Sequence, residues 1–174
     1  MISAEVEKRE MAANVKLGPG GIREIEFIVQ SLQLVRGGAR RDLQERQLLR
    51  VLPRLVGRHG LDGPEADALA DAYRFLRRLE NFIQAIRDRQ THDLPADPVD
   101  RARLCLAMGF ADWDALLGRT DEVRRTVADA FDAVAFREAG DPVEAPRLRL
   151  AELWEGDASR ELWRQALDEQ GYAQ

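Results

Sequence analysis

Apolar residues along this chain recur at steps of three and four, a period that predicts helices. The most regular set is Leu69, Ala72, Tyr73, Phe75, Leu76, Leu79, Phe82, Ile83 and Ile86. It predicts a long helix from Pro64 to about Gln90, flanked by other helices and forming the spine of a bundle. Ile22, Ile25, Phe27, Ile28, Val29, Leu32, Leu34 and Val35 predict an earlier helix with a broad apolar face, interrupted by Gln30 and Gln33. It ends at Arg36-Gly37-Gly38, where a basic last turn meets a glycine stop. Between the two, Leu43, Leu48, Leu49, Val51, Leu52, Leu55 and Val56 predict a helix capped by Asp42, with Pro53 as an obstacle at which it can split. His59 to Gly63 reads as a turn, with Pro64 placed for the first helical position. After the spine, Arg101 to Met108 predicts a short helix ended by Gly109, and Asp112 caps another through Leu117. Val123, Val127, Phe131 and Val134 carry a last helix to about Phe136.

The expected fold is therefore all-α, a helical bundle with one long central helix over residues 16–138. Residues 1–15 are charged and helix-prone, with little to bury beyond Ile2, Val6 and Met11. Residues 139–174 open with a linker holding Gly140, Pro142 and Pro146 and continue into a helical segment, Ser159 to about Gln170. Its Leu162, Trp163, Ala166 and Leu167 form an apolar stripe with Trp154 nearby, able to fold back on the bundle or to await a missing partner.

Composition agrees. Of 174 residues, 45% are hydrophobic but only 6% aromatic, and the 33% that are charged alternate in sign, as a helical protein allows. A net charge of -5 argues against broad nucleic-acid binding. The single cysteine, Cys105, sits between leucines, forms no internal disulfide and reads as a core residue of a protein in a reducing cytosol. No stretch looks like a signal peptide, and none approaches the roughly 20 apolar residues that cross a bilayer, so no membrane partner is expected and the location expected is cytoplasmic.

The chemistry gathers at Lys16-Leu-Gly-Pro-Gly-Gly-Ile-Arg-Glu-Ile-Glu26. Gly18, Gly20 and Gly21 around Pro19 predict a tight loop feeding the helix from Ile22. Glycines without side chains let this backbone approach either a ligand or another chain segment, and first-turn amides left unpaired would hold an anion. A plain loop-to-helix junction explains the glycines equally well; Arg23, Glu24 and Glu26 in the first turn or so add more charge than a turn needs. On the spine, Arg77, Glu80 and Asn81 lie beside the apolar stripe and can pair with Arg23, Glu24 or Glu26 as a structural ionic latch. His92 and Asp93 lack the further ligands of a metal site, and His59 has no evident partner, so no metal is expected in this chain.

The strings KLGPGGIREIEFIVQ from Lys16, FLRRLENFIQAIRDRQTHDLP from Phe75 and MGFADWDALL from Met108 resemble the bifunctional glutamine synthetase adenylyltransferases, also called adenylyl-removing enzymes. The similarity spans nearly the whole chain, weakening from about Arg137 and recovering at Leu153 to Tyr172. More distantly, Pro-Gly-Gly-Ile-Arg-Glu is similar to the Pro-Gly-Gly-Leu-Arg-Asp of the uridylyltransferase acting on the PII signalling protein. The resemblance implies a helical region following the first nucleotidyltransferase domain, with residues 1–15 a helix continuing from that domain and 139–174 a lead-in to the second half. It implies transfer of AMP from ATP to a tyrosine of glutamine synthetase and phosphorolytic removal, with magnesium and ATP, under PII and glutamine control. Partners so implied are the adjacent nucleotidyltransferase domains, glutamine synthetase and PII. The family's Gly-Ser loop and Asp-x-Asp metal pair are absent here, so the chain alone is expected to be inactive, with no catalytic residue and no tightly held cofactor. Lys16, Gly20, Gly21, Arg23, Glu24 and Glu26 are then the edge expected to face nucleotide or phosphate. The alternative is a non-catalytic scaffold or regulatory module that binds PII or glutamine synthetase.

Overall fold

The structure is a computed structural model that describes residues 11, 13–38, 40–57, 60–86 and 90–140, without the side chains of 135–140. The expected N-terminal helix at Ile2 to Met11, His59, the linker and the C-terminal segment fall outside the described residues, apart from isolated positions at their edges. Helices α1 (Ile22–Arg36), α2 (Leu48–Val51), α3 (Gly63–Ala85), α4 (Pro98–Met108) and α5 (Trp113–Gly140) are joined by 3-10 turns at Arg41–Leu43 and Leu52–Leu55. The fold is all-α as the periodicity required, and α3 is central, touching α1, α4, α5 and the Leu52–Leu55 turn.

Local chemistry explains the boundaries. The α3 spine starts at a capping box: Asp62 accepts from the Glu65 amide at 2.6 Å while the Glu65 carboxylate accepts from the Asp62 amide at 2.9 Å. Asp97 caps α4 through the amides of Val99 and Asp100, and Gly109 ends it in the left-handed conformation at φ 82°. Three expectations need correction. The helix expected from Asp42 divides at Pro53, which has no amide to donate, into one turn of α-helix and a 3-10 turn, as anticipated, but residues 44–47 are not helical and a separate 3-10 turn precedes them; Asp42 is inside that turn and caps nothing. The last two expected helices are one 28-residue helix, α5, so α3 with 23 residues is the central helix but not the longest. Finally, α4 begins at Pro98, a turn earlier than its apolar pattern suggests.

The main core is built by α1, α3 and α5 around Ile22, Ile25, Ile28, Leu69, Leu76 and Val127, all fully buried. A second cluster, Val15, Leu79, Leu104 and Leu116, joins α4 to the far end of the spine. Burying each such side chain contributes about 1.5–3 kcal/mol. Phe27, Leu34 and Val35, expected inside, stay 53%, 87% and 68% exposed, because the buried stripe of α1 runs through Ile25, Ile28, Val29 and Leu32. Helices α1 and α5 lie parallel: Gly20 abuts the backbone of Arg124, and seven residues further along both, the rings of Phe27 and Phe131 meet at 5.4 Å.

Candidate functional site

The glycine loop folds inward. Asn14 organises it: its side-chain carbonyl accepts from the amides of Lys16 and Leu17 at 3.0 and 2.8 Å, and its amide group donates to Asp93 at 2.8 Å. Gly20 takes a left-handed conformation at φ 68°, and a Cβ there would lie 2.2 Å from the carbonyl oxygen of Arg124. On Gly18 a Cβ would meet the carbonyl of Met11 at 2.2 Å, and on Gly21 those of Lys16 and Gly18 at 2.7 Å. The close approach that these glycines permit is therefore to other chain segments. From α5, Arg124 closes the contact, donating from Nη2 to the Asn14 carbonyl at 2.6 Å. Burial pushes this guanidinium below its usual pKa, with Asp121 and Glu24 working in the opposite direction.

The expected row of open amides is not present. The amides of Ile22, Arg23 and Glu24 donate to the carbonyls of Val15, Lys16 and Gly21, and that of Gly21 to Gly18. Glu24 reaches back to accept from the Gly20 amide at 2.9 Å, where an anion would otherwise sit. Burial raises the Glu24 carboxyl above its ordinary pKa, opposed by that hydrogen bond, while Asp132 adds to the rise.

The ionic latch exists with a different partner. Glu80, on α3, is 2% exposed, and its Oε2 accepts from Arg77 at 2.7 Å. Its Oε1 lies 3.3 Å from the Lys16 ammonium, a charge contact, and 2.9 Å from His92 Nδ1, both off the hydrogen-bond axis. The His92 carbonyl also accepts from the Val15 amide at 2.8 Å. One carboxylate thus joins the spine, the glycine loop and the loop after the spine. Arg23, Glu24 and Glu26 are not its partners: Arg23 pairs with Glu26 at 3.3 Å on the surface, and Asn81 is exposed. Sequence reasoning missed His92, Asn14 and Arg124. The one signal for His92 was its place just past the end of the spine, within reach of the turn that carries Glu80.

The outward-facing edge of the loop consists of the exposed Arg23 and the half-buried Lys16, Glu24 and Glu26. Among the described residues no group of three or more His, Cys, Asp or Glu side chains could hold a metal ion, and no helix is long and apolar enough to cross a membrane.

A model of the GlnD PII-uridylyltransferase family matches residues 1–135, which include the loop, the spine and most of α5. The chain belongs to that family. Among curated relatives, the bifunctional glutamine synthetase adenylyltransferase/adenylyl-removing enzyme of Nitrosococcus oceani is 46% identical over 174 aligned residues, covering 99% of this chain and 18% of the relative. The enzyme of the same name from Xanthomonas axonopodis pv. citri is 46% identical over 168 residues, covering 91% and 17%. The chain therefore spans less than a fifth of the length of these relatives. The resemblance drawn from the loop, spine and Met108 strings is borne out, and membership places the chain among nucleotidyltransferase families.

Proposed function

We propose that this chain is the helical region beside a nucleotidyltransferase domain in an enzyme that adenylylates glutamine synthetase and removes the AMP by phosphorolysis. The observation that carries this is 46% identity across 99% of the chain to an enzyme of that name. On this reading ATP and magnesium are bound by the neighbouring domain, whose carboxylates do the metal chemistry; no metal cluster is found among the described residues of this chain. The contribution of this chain is positional. The Glu80 cluster and the Gly20 contact with Arg124 hold the loop rigid, so that Arg23, with Glu26 bracing it, is presented at a fixed place. Lys16, Glu24, Gly20 and Gly21 shape that edge from behind, the adjacent catalytic domain being its partner.

The second reading, a scaffold or regulatory module for PII or glutamine synthetase, is favoured by the occupied first-turn amides, which leave the glycines a packing role. Arg23→Ala in the full-length enzyme separates the two. Arg23 is exposed and outside the core, so folding should be unaffected; a fall of tenfold or more in AMP transfer or phosphorolysis at unchanged Tm, on the order of 1.4 kcal/mol, supports the positional reading. Unchanged activities leave the scaffold reading.

A further inference from the structure

Although the whole chain is acidic, its charge is unevenly placed. Residues 36–54 hold six arginines against Asp42 and Glu45 alone. They succeed one another from the end of α1 through the 3-10 turns and α2, at one end of the bundle. Local acids neutralise part of this charge: Arg40 pairs with Asp42, Arg50 stands 3.8 Å from Glu45, and Arg54 donates to the Asp42 carbonyl. Arg41 and Arg46 are exposed, and among the described residues neither forms an ion pair. Burial and the like charge of Arg40 both depress the Arg36 pKa, as expected where cations crowd without counter-charge. Beside them Leu34 and Val35 stand 87% and 68% exposed.

The chain beyond α5 has the opposite character. Residues 141–174 carry eight carboxylates against four arginines, with Glu152, Glu155, Asp157 and Glu161 close together next to Trp154, Leu162 and Trp163. Gly20 against Arg124 and Phe27 against Phe131 set α1 and α5 running in the same direction, so α5 heads toward the end of the bundle at which α1 ends with Arg36. The fourteen residues from Gly140 to Trp154 reach up to about 50 Å when extended, more than the width of a bundle end. Tethering holds the two at an effective concentration of about millimolar, at which exposed charge pairs too weak to bind in trans suffice.

We infer that the acidic segment 152–161 of this chain docks on the arginine-rich end formed by residues 36–54, its flanking Trp154, Leu162 and Trp163 covering Leu34 and Val35. The contact would strap the exit of α5 to the bundle. In a longer protein it would set the direction in which the chain leaves this domain.

The test is paramagnetic broadening in the 174-residue chain, with a spin label on Ser159→Cys in a Cys105→Ala background. The amides of residues 34–54 should lose about half their intensity or more, and regain it in about 1 M sodium chloride, where screening shortens to about 3 Å. Arg41→Glu with Arg46→Glu should abolish the broadening, and adding Glu155→Arg with Asp157→Arg should restore it. No broadening in the starting chain, or broadening indifferent to charge reversal, overturns the assignment. So does broadening of equal size when the spin label sits only on a second copy of the chain, since the occupant would then be another molecule.

Discussion

Replacing Gly20 by alanine attacks the contact that fixes the loop. The residue sits at φ 68°, where an L side chain costs about 1–2 kcal/mol, and its new Cβ would lie 2.2 Å from the carbonyl oxygen and 2.6 Å from the Cα of Arg124. Neither obstacle is a flexible side-chain end. To relieve the overlap, α5 must move off the loop, or the loop must withdraw and pull the Gly20 amide from Glu24. Forced shifts in packed regions cost about 1–3 kcal/mol, so the total expected is about 2–5 kcal/mol. Urea unfolding monitored by circular dichroism measures it, with Gly38→Ala as control, since a Cβ there meets nothing within 4 Å. A loss below about 1 kcal/mol for Gly20→Ala, at unchanged m-value, would refute the reasoning, since backbone strain alone should exceed that.

The same geometry sets three further outcomes. Glu80→Gln removes the shared counter-charge, but Lys16, Arg77 and His92 are part-exposed and can rehydrate; the loss should be about 1–3 kcal/mol, below the roughly 3–5 of stranding a fully buried charge, and amide exchange should quicken at 14–21. Because the Glu24 carboxyl is raised in the folded state, folding favours its protonated form, so its contribution is present below the ordinary carboxylate range and is lost as pH rises through the higher folded value. Denaturant midpoints of the parent chain and Glu24→Gln should therefore converge as pH falls from 7 toward that range, and equal slopes with pH would contradict it. Burial, with Asp112 adding, raises the Cys105 thiol, so a disulfide exchange reagent should react with it at the rate of unfolding and much faster in urea.

How far the sequence alone reached depended on the kind of force involved. The α1, α3 and α4 helices were legible because apolar periodicity and caps such as the glycine at 109 are local signals. The fusion of the last helices was not: the apolar set pauses between Leu117 and Val123, yet Gly118 in that gap is open and tolerated within α5. At the site, Glu80 stood out as a carboxylate beside an apolar stripe, but its partners lie 64 residues before it on the glycine loop and 12 after it, a pairing no local pattern encodes. The glycines were ambiguous for the same reason. A ligand and the backbone of α5 both require a missing side chain, and only the tertiary contact with Arg124 distinguishes them.

The most direct test of the account, in which the loop is an inward-packed latch whose outer ions serve a site completed by a neighbouring domain, is calorimetric titration of the folded 174-residue chain. ATP, ADP and AMP would each be added with and without magnesium. With the first-turn amides occupied and no metal cluster among the described residues, the account predicts no saturable heat. Saturable binding that Arg23→Ala abolishes at unchanged Tm would contradict it, and would make the loop a nucleotide site in its own right.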